Sequence, residues 1–397
     1  MVSPFFLHMD KNISEILFLL GENHDEWNNA VAPPIYQTSN FCFPDVSSFR
    51  NAFRQEKEKP LYTRGVNPTT SLLRQKLAAL EGTEDALVLS SGAAAIAAAV
   101  INKVKQGDHV LCVQHPYSWT NTLLTKHLAR FGVSHTFADA CDTAHFLSHV
   151  QPETKVIYLE SPNSITFELQ DLKTIAAFAK EKGIVTICDN SYASTLGQSP
   201  AALGIDIVVH SATKYLNGHS DTVAGVICAS KENIQSILGS EFLTLGAICS
   251  PMEAWLILRG MRTLQLRVER SSSTAHTIFQ WLKTRSEIEK IYFPHDPKNK
   301  QYDLARSQMH FSGGLLSVCL KASSIQQMEK FSNTLEYFRM AVSWGGYESL
   351  QLPVCTFYHN ENERHHLPWN MVRFYFGLED ADVLIRDLEN AFSQWKS

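Results

Sequence analysis

A lysine flanked by two hydroxyl residues is the first feature of the sequence that could do chemistry. The segment HSATKY occupies positions 210–215, directly after the β-branched run DIVVH, which is typical of a buried strand. Open parallel sheets bind ligands beyond the carboxyl ends of their strands, so we expect Lys214 to project into a crevice with Ser211 and Thr213 beside it. The amine could form a Schiff base with a phosphorylated carbonyl cofactor while the hydroxyls hold phosphate oxygens. Taken alone, the motif also fits a surface lysine.

Three further strand ends carry groups that suit such a cofactor. Asp189 ends the apolar run IVTIC, where a carboxylate could pair with a protonated pyridine nitrogen. Ser91 and Gly92 open an Ala-rich helix after the run ALVL, so phosphate could bind at the positive end of that helix. Tyr117 follows the run HVLCV and is placed to stack on a flat ring.

The segment YTRGVNPT at positions 62–69 supplies a phenol and a guanidinium. Arg64 could clamp a phosphate through paired hydrogen bonds, with Tyr62 close by. Each element alone has a structural explanation as a turn, a helix cap or a packing aromatic. Together, phosphate donors, a stacking tyrosine, an acid for a ring nitrogen and a lysine at successive strand ends describe a site for pyridoxal 5'-phosphate.

The elements that must position these residues are those of an α/β fold. Helical patterns such as residues 169–182 alternate with short apolar runs at 109–113, 155–160, 184–188, 206–210 and 223–228. This alternation predicts a largely parallel sheet with helices on both faces. After Pro251 the pattern changes to a long helical segment from 252 to about 283, then strand candidates at 287–293, 314–320 and 371–377 and helices near 324–338 and 380–395. We expect an N-terminal arm over 1–60, a cofactor-binding large domain over 61–250 and a C-terminal small domain over 251–397.

The composition narrows the class of protein further. The 397 residues include 35 Lys and Arg against 40 Asp and Glu, and 44% are hydrophobic, which is typical of a globular protein. The sequence has no block of basic residues and no run of about 20 apolar residues, so we expect neither nucleic acid nor a membrane as a partner. The eight cysteines form no CxxC pair, which argues against a zinc ribbon or a disulfide scaffold. We therefore expect a cytoplasmic protein with a small-molecule partner.

The sequence resembles the Cys/Met-metabolism family of pyridoxal-phosphate enzymes over nearly its whole length. The motifs that occur in the family's order are YTRGVNPT, SSGAAAI, ESPNSITFE, CDNS, HSATKYLNGHSD, RGMRTLQLR, SWGGYESL and RFYFGLED. Within the family, ESPNSIT, ATKYLNGHSD and SWGGYESL resemble the bacterial cystathionine beta-lyases. The resemblance implies a fold type I enzyme: a large domain with a mostly parallel sheet and a smaller C-terminal α/β domain.

The resemblance also implies roles for individual residues. Lys214 would bind the cofactor covalently and move protons, with Tyr117 or Tyr62 assisting. The cofactor would be held by Tyr62, Arg64, Gly92, Ala93, Tyr117, Asp189, Ser211, Thr213 and Lys214. Tyr62 and Arg64 would come from a neighbouring subunit of a homotetramer built as a dimer of dimers. Arg373 would bind the substrate α-carboxylate beside Ser343 and Trp344, and an indole in place of the leucine of gamma-specific members favours the beta-lyases.

We therefore expect a carbon–sulfur lyase that acts on cystathionine or a related sulfur amino acid by β-elimination, giving a thiol, pyruvate and ammonia. The same residues could support γ-elimination or γ-replacement. A catalytically silent, cofactor-binding regulator or scaffold is an alternative of another class. A metal hydrolase is a further alternative, because His359, His365 and His366 lie in the polar segment YHNENERHH. The segment lacks HExxH spacing and is typical of solvated surface, so we expect no metal.

Overall fold

The computed structural model describes residues 13–395, which form two β-sheets covered by helices. Residues 1–12 of the expected arm and 396–397 of the expected small domain lie outside the described residues. The strands are β1 (Asp85–Leu89), β2 (His109–Val113), β3 (Ser134–Ala138), β4 (Thr154–Glu160), β5 (Val185–Asp189), β6 (Ile207–Ser211), β7 (Gly225–Ala229), β8 (Ile288–Tyr292), β9 (Leu315–Leu320), β10 (Arg339–Met340), β11 (Leu350–Pro353) and β12 (Met371–Tyr375).

The helices lie between these strands and at the two ends of the described chain. The α-helices are α1 (Ile13–Phe18), α2 (Val46–Arg54), α3 (Pro68–Glu81), α4 (Gly92–Ile101), α5 (Ser118–Thr122), α6 (Thr143–Leu147), α7 (Leu172–Lys182), α8 (Ser194–Gly197), α9 (Lys231–Ile237), α10 (Leu243–Leu245), α11 (Pro251–Met261), α12 (Leu264–Leu282), α13 (Tyr302–Gln308), α14 (Ile325–Thr334) and α15 (Ala381–Trp395). The 3₁₀ and π segments are His24–Trp27, Leu123–Leu128, Ala129–Phe131, Pro200–Leu203, Leu238–Phe242 and Val354–Phe357. No helix within residues 13–395 is both long enough and apolar enough to cross a bilayer.

The larger sheet confirms the expected, mostly parallel arrangement. Its order is β1-β7-β6-β5-β4-β2-β3, in which the neighbours from β3 to β6 are parallel, and β7 is antiparallel to both β6 and β1. Because β4, β5 and β6 are parallel, their carboxyl ends meet at one edge of the sheet. That edge carries Glu160, Asp189 and Ser211 as the last residues of the three strands.

Local signals in the sequence start and end the helices around this sheet. The Ser91 hydroxyl accepts a hydrogen bond from the Ala94 amide at 3.1 Å and caps α4. The last residue of α7 is followed by Gly183 at a φ of 65°, a left-handed conformation that glycine adopts without a side-chain clash. The cap of α4 is important for the site, because it orients the first amides of that helix toward the carboxyl ends of the strands.

The smaller sheet has the order β10-β11-β12-β9-β8, with antiparallel pairs on both sides of β12. Its core is rich in phenylalanine and is covered by α12, α14 and α15. The single helix expected from 252 to about 283 is two helices, because the chain breaks at Arg262 and Thr263. The first of them, α11, packs against α3 and the larger core, where a Cβ on Gly260 would lie 2.0 Å from the Asn217 carbonyl oxygen.

Candidate active site

A cavity of about 1240 Å³ opens where the carboxyl ends of the larger sheet face the smaller sheet. This volume exceeds the roughly 300–1,000 Å³ of a typical ligand pocket, so it has room for a cofactor together with a substrate. The sequence-predicted residues that line it are Gly92, Ala93, Tyr117, Asp189, Ser211, Thr213, Lys214, Trp344 and Arg373. The structure therefore brings together most of the residues that the sequence singled out.

Lys214 lies in the turn after β6, with its amine inside the cavity. Its Nζ donates a hydrogen bond to the Ser343 hydroxyl at 2.6 Å and lies 4.3 Å from the ring centroid of Trp344. Burial lowers the pKa of the Lys214 amine to about 8, the Arg373 guanidinium acts in the same direction, and Asp189 opposes them. A larger neutral fraction makes this amine a nucleophile and a base near neutral pH.

Asp189 is buried at the end of β5, where its Oδ1 accepts a hydrogen bond from the Ser191 amide at 2.9 Å. Burial raises the pKa of this carboxyl, although the hydrogen bonds from Ser191 and the nearby Lys214 pull it down. A buried carboxylate that has no salt-bridge partner is stabilised by a cationic group of a ligand. A protonated ring nitrogen is such a group.

Glu160 is a site residue that sequence reasoning missed. It is buried, and its carboxylate accepts hydrogen bonds from the amides of Tyr117 at 2.6 Å and Ser164 at 3.2 Å. The carboxylate therefore fixes the backbone that carries the exposed Tyr117 ring at the cavity wall. Its signal in the sequence is the same as that of Asp189, an acidic residue at the end of an apolar strand.

The start of α4 and the end of β6 form one wall of the cavity. The first amides of a helix have no partner within the helix, so Gly92 and Ala93 can donate to an anion there. A Cβ on Gly92 would lie 3.0 Å from the Cβ of Ser211, so glycine allows the helix to approach the strand closely. The Thr213 hydroxyl, expected to bind phosphate, accepts from the Ala224 amide at 3.1 Å and approaches the Ala224 carbonyl at 3.3 Å. Thr213 is thus also part of the link between β6 and β7.

Arg373 reaches the cavity from the middle of β12. It is buried, and it donates hydrogen bonds to the carbonyl oxygens of Ser164 at 3.1 Å and Val342 at 2.7 Å. Burial lowers its pKa to about 10, and no carboxylate within residues 13–395 forms an ion pair with it. Because a buried unpaired charge is costly, this guanidinium is suited to a ligand carboxylate.

The Trp344 ring lies close to both cationic side chains of the site. Its ring centroid is 5.0 Å from the Cζ of Arg373 and 4.3 Å from the Nζ of Lys214. The indole therefore occupies space beside the α-carbon of any amino acid that Arg373 and Lys214 hold.

Tyr62 and Arg64 are not brought into the cavity of their own chain. Both are exposed, and the Cζ of Arg64 lies 5.4 Å from the Tyr62 ring centroid. Their expected role in the phosphate site of a neighbouring subunit stays a prediction. His365 and His366, expected on the solvated surface, are exposed but line the mouth of the cavity. No group of three or more His, Cys, Asp or Glu within the described residues is arranged to hold a metal ion.

The residues fit pyridoxal 5'-phosphate, because helix amides, a buried carboxylate and a lysine of lowered pKa share one cavity. The fold and the site define the class as fold type I pyridoxal-phosphate enzymes. The family model described as "Cys/Met metabolism PLP-dependent enzyme" matches residues 16–393. The chain belongs to this family, whose members depend on pyridoxal phosphate.

Individual relatives include enzymes of both reaction types. An L-methionine gamma-lyase of Pseudomonas deceptionensis is 37% identical over 94% of this chain and 94% of its own length. A cystathionine beta-lyase of Lactococcus lactis subsp. cremoris is 34% identical over 94% of this chain and 97% of its own length. The crystal structure of a cystathionine gamma-lyase from Lactobacillus plantarum complexed with L-serine superimposes with a TM-score of 0.89, at 31% identity, over 97% of this chain and 100% of that one.

Proposed function

We propose that this chain is a carbon–sulfur lyase that cleaves cystathionine, or a related sulfur amino acid, by β-elimination. With cystathionine, the substrate and one water give homocysteine, pyruvate and ammonia. The observation that carries the proposal is the indole of Trp344, which lies close to both Lys214 and Arg373. A γ-elimination needs room for a second proton transfer at Cβ, and a large ring at this position limits that room.

The chain's own residues supply binding and proton transfer. Arg373 binds the α-carboxylate through its planar fork of donors, which orients the α-carbon toward Lys214. The Lys214 amine takes the proton from Cα, for which its lowered pKa of about 8 suits it. Pyridoxal phosphate, when bound, supplies an aldehyde for the substrate amine and an acceptor for the electrons of the Cα–H bond. Gly92, Ala93 and Ser211 would hold its phosphate and Asp189 its ring nitrogen.

A γ-elimination enzyme is the second candidate. It is supported by methionine gamma-lyases among the relatives, which are 37% identical over more than nine-tenths of this chain and of their own length. The two candidates use the same cofactor and the same lysine, and they differ in whether the Cβ–S or the Cγ–S bond of the substrate is cleaved.

Incubation of the purified holoenzyme with L-cystathionine distinguishes the two reactions. We expect pyruvate and homocysteine, measured by chromatography together with a lactate dehydrogenase assay. If the products are 2-oxobutyrate and cysteine, the β-elimination proposal is wrong and the γ-elimination proposal replaces it. Methionine is a useful second substrate, because its release of methanethiol requires cleavage at the γ-carbon.

We further propose that the enzyme works in the cytoplasm as a homotetramer built from dimers. Exposed apolar side chains on one helix support a covering subunit: Val46, Phe49 and Phe53 of α2 are all exposed. Light scattering coupled to size exclusion tests the assembly, since a monomeric mass at micromolar concentration would contradict it.

A further inference from the structure

Three histidines, of which two are stacked and the third is tilted by 33°, cluster at the mouth of the cavity. The rings of His115 and His366 are stacked, with centroids 4.3 Å apart and planes 11° apart. The ring centroid of His365 lies 4.2 Å from that of His366. His115 follows β2 of the larger sheet, whereas the other two precede β12 of the smaller sheet, so the cluster bridges the two sides of the cavity.

The cluster retains free hydrogen-bonding capacity. Within the described residues, the ring nitrogens of His115 and His366 have no hydrogen-bond partner, and His365 accepts only from the Leu367 amide at 3.2 Å. Burial and the two neighbouring imidazoles lower the pKa of His366 to about 4, so its ring is neutral at pH 7 and can both donate and accept. Stacked rings present their nitrogens at their edges, which suits hydrogen bonds to a ligand lying along the stack.

Among the described residues, the cavity wall offers no Lys or Arg beyond Lys214 and Arg373 for a second anionic group. Among the described residues that line it, Lys214 and Arg373 are the cationic side chains, and both act at the α-carbon end of a substrate. Asp139 and Glu168 also line the cavity and would repel an anion placed near them. The ring N–H groups of the three imidazoles supply further hydrogen-bond donors at the mouth of the cavity.

We propose that His115, His365 and His366 form a subsite for a carboxylate at the far end of the substrate's leaving group. This inference rests on the proposed lyase function and deepens it, because it names the substrate class: thioethers whose leaving thiol carries its own carboxylate. Thioethers whose leaving thiol has no carboxylate would still bind at Lys214 and Arg373, but they would not use the subsite. The cavity volume of about 1240 Å³ has space for such an extended substrate.

The test compares two substrates that share the same β-elimination but differ in the leaving group. L-cystathionine releases a thiol with a carboxylate, and S-methyl-L-cysteine releases a thiol without one. For the double variant H365A/H366A we expect KM for cystathionine to rise about 10-fold, with KM for S-methylcysteine changed less than about 2-fold. Little change is expected in kcat for either substrate. The single variant His366→Asn keeps a hydrogen-bond donor and should recover part of the cystathionine affinity.

The matched control is His359→Ala, because His359 is exposed in the same loop but does not line the cavity. It should leave both KM values unchanged. Calorimetric titration of cystathionine into the cofactor-loaded Lys214→Ala protein, with and without H365A/H366A, measures the affinity without turnover and should show the same tenfold loss. Equal shifts for both substrates, or none, would overturn the subsite while leaving the lyase proposal intact. A wild-type holoenzyme that cleaves neither substrate would instead overturn the proposed function.

Discussion

Glu160 and Asp189 are register partners at the carboxyl ends of β4 and β5, and both are buried. Two carboxyl groups placed this way in a poorly solvated site resist ionising together. Burial, reinforced by the charge of Asp189, raises the pKa of Glu160 to about 8. In the protein without cofactor, the pair therefore holds a proton at neutral pH that the unfolded chain would release.

Replacing Glu160 with Gln should remove a pH-dependent loss of stability. A carboxyl whose pKa is raised by folding binds more protons in the folded state, so stability is highest below the unfolded value and falls as pH rises through the folded value. For Glu160 that window runs from about pH 4.5 to about pH 8. Relative to wild type, E160Q should gain about 5 kcal/mol of unfolding free energy across this window, in an order-of-magnitude estimate.

Urea unfolding of the cofactor-free protein at a series of pH values measures this difference. Glu153→Gln is the control, because Glu153 is exposed just before the other end of β4. A stability difference between E160Q and wild type that stays constant with pH would show that Glu160 is ionised throughout, contrary to the expectation.

Lys214→Ala should remove both turnover and the covalent link to the cofactor. The variant loses the amine that moves the α-proton, so we expect kcat to fall at least about 10³-fold. Borohydride treatment followed by peptide mapping should label the peptide containing residue 214 in wild type and leave the variant unlabelled. Lys103→Ala is the control: burial also lowers the pKa of Lys103, but that residue lies outside the cavity. Labelling of another lysine in the wild type would contradict this assignment.

Much of the larger sheet could be predicted because its strands are buried on both faces. Continuous apolar runs such as those of β2 and β6 are recognisable without any knowledge of their neighbours. The edge strand β3 was not predicted, because its exposed and half-buried residues do not form an apolar run. The close approach of Gly260 in α11 to the Asn217 carbonyl joins residues that are distant in sequence, so the sequence pattern does not reveal it.

Prediction of the site from the sequence is limited in the same way as prediction of the fold. Lys214 and Asp189 could be predicted because each follows a recognisable strand, and the order of strand ends places them on one edge. His366 is exposed, as its polar segment predicts, but the segment does not reveal that its ring stacks on His115. Local sequence describes a residue's own segment and not the segment that packs across from it.

Trp344→Leu should shift the reaction toward cleavage at the γ-carbon. A smaller side chain opens space beside Lys214 and Arg373, where the Cβ of a longer substrate must meet the amine. We expect the ratio of 2-oxobutyrate to pyruvate formed from cystathionine to rise about 10-fold, equivalent to about 1.4 kcal/mol. Trp119→Leu is the control, since Trp119 also lines the cavity and lies two residues after Tyr117. An unchanged ratio in the Trp344 variant would remove the main support for β-elimination.

Mixing two inactive variants should reveal whether Tyr62 and Arg64 act across a subunit boundary. The mixed dimer contains one Arg64→Ala subunit and one Lys214→Ala subunit. If Arg64 completes a neighbour's phosphate site, one active site of this dimer carries both substitutions and the other carries neither. Random reassembly after mild denaturation should then restore about a quarter of wild-type activity, because half of the dimers are mixed. The control pair is Lys214→Ala with Arg373→Leu, whose altered residues line the same cavity of one chain. Their mixed dimers contain no wild-type site and should stay inactive. Absence of recovery in the first pair, with mixed dimers verified by mass spectrometry, would place Arg64 outside the neighbour's site.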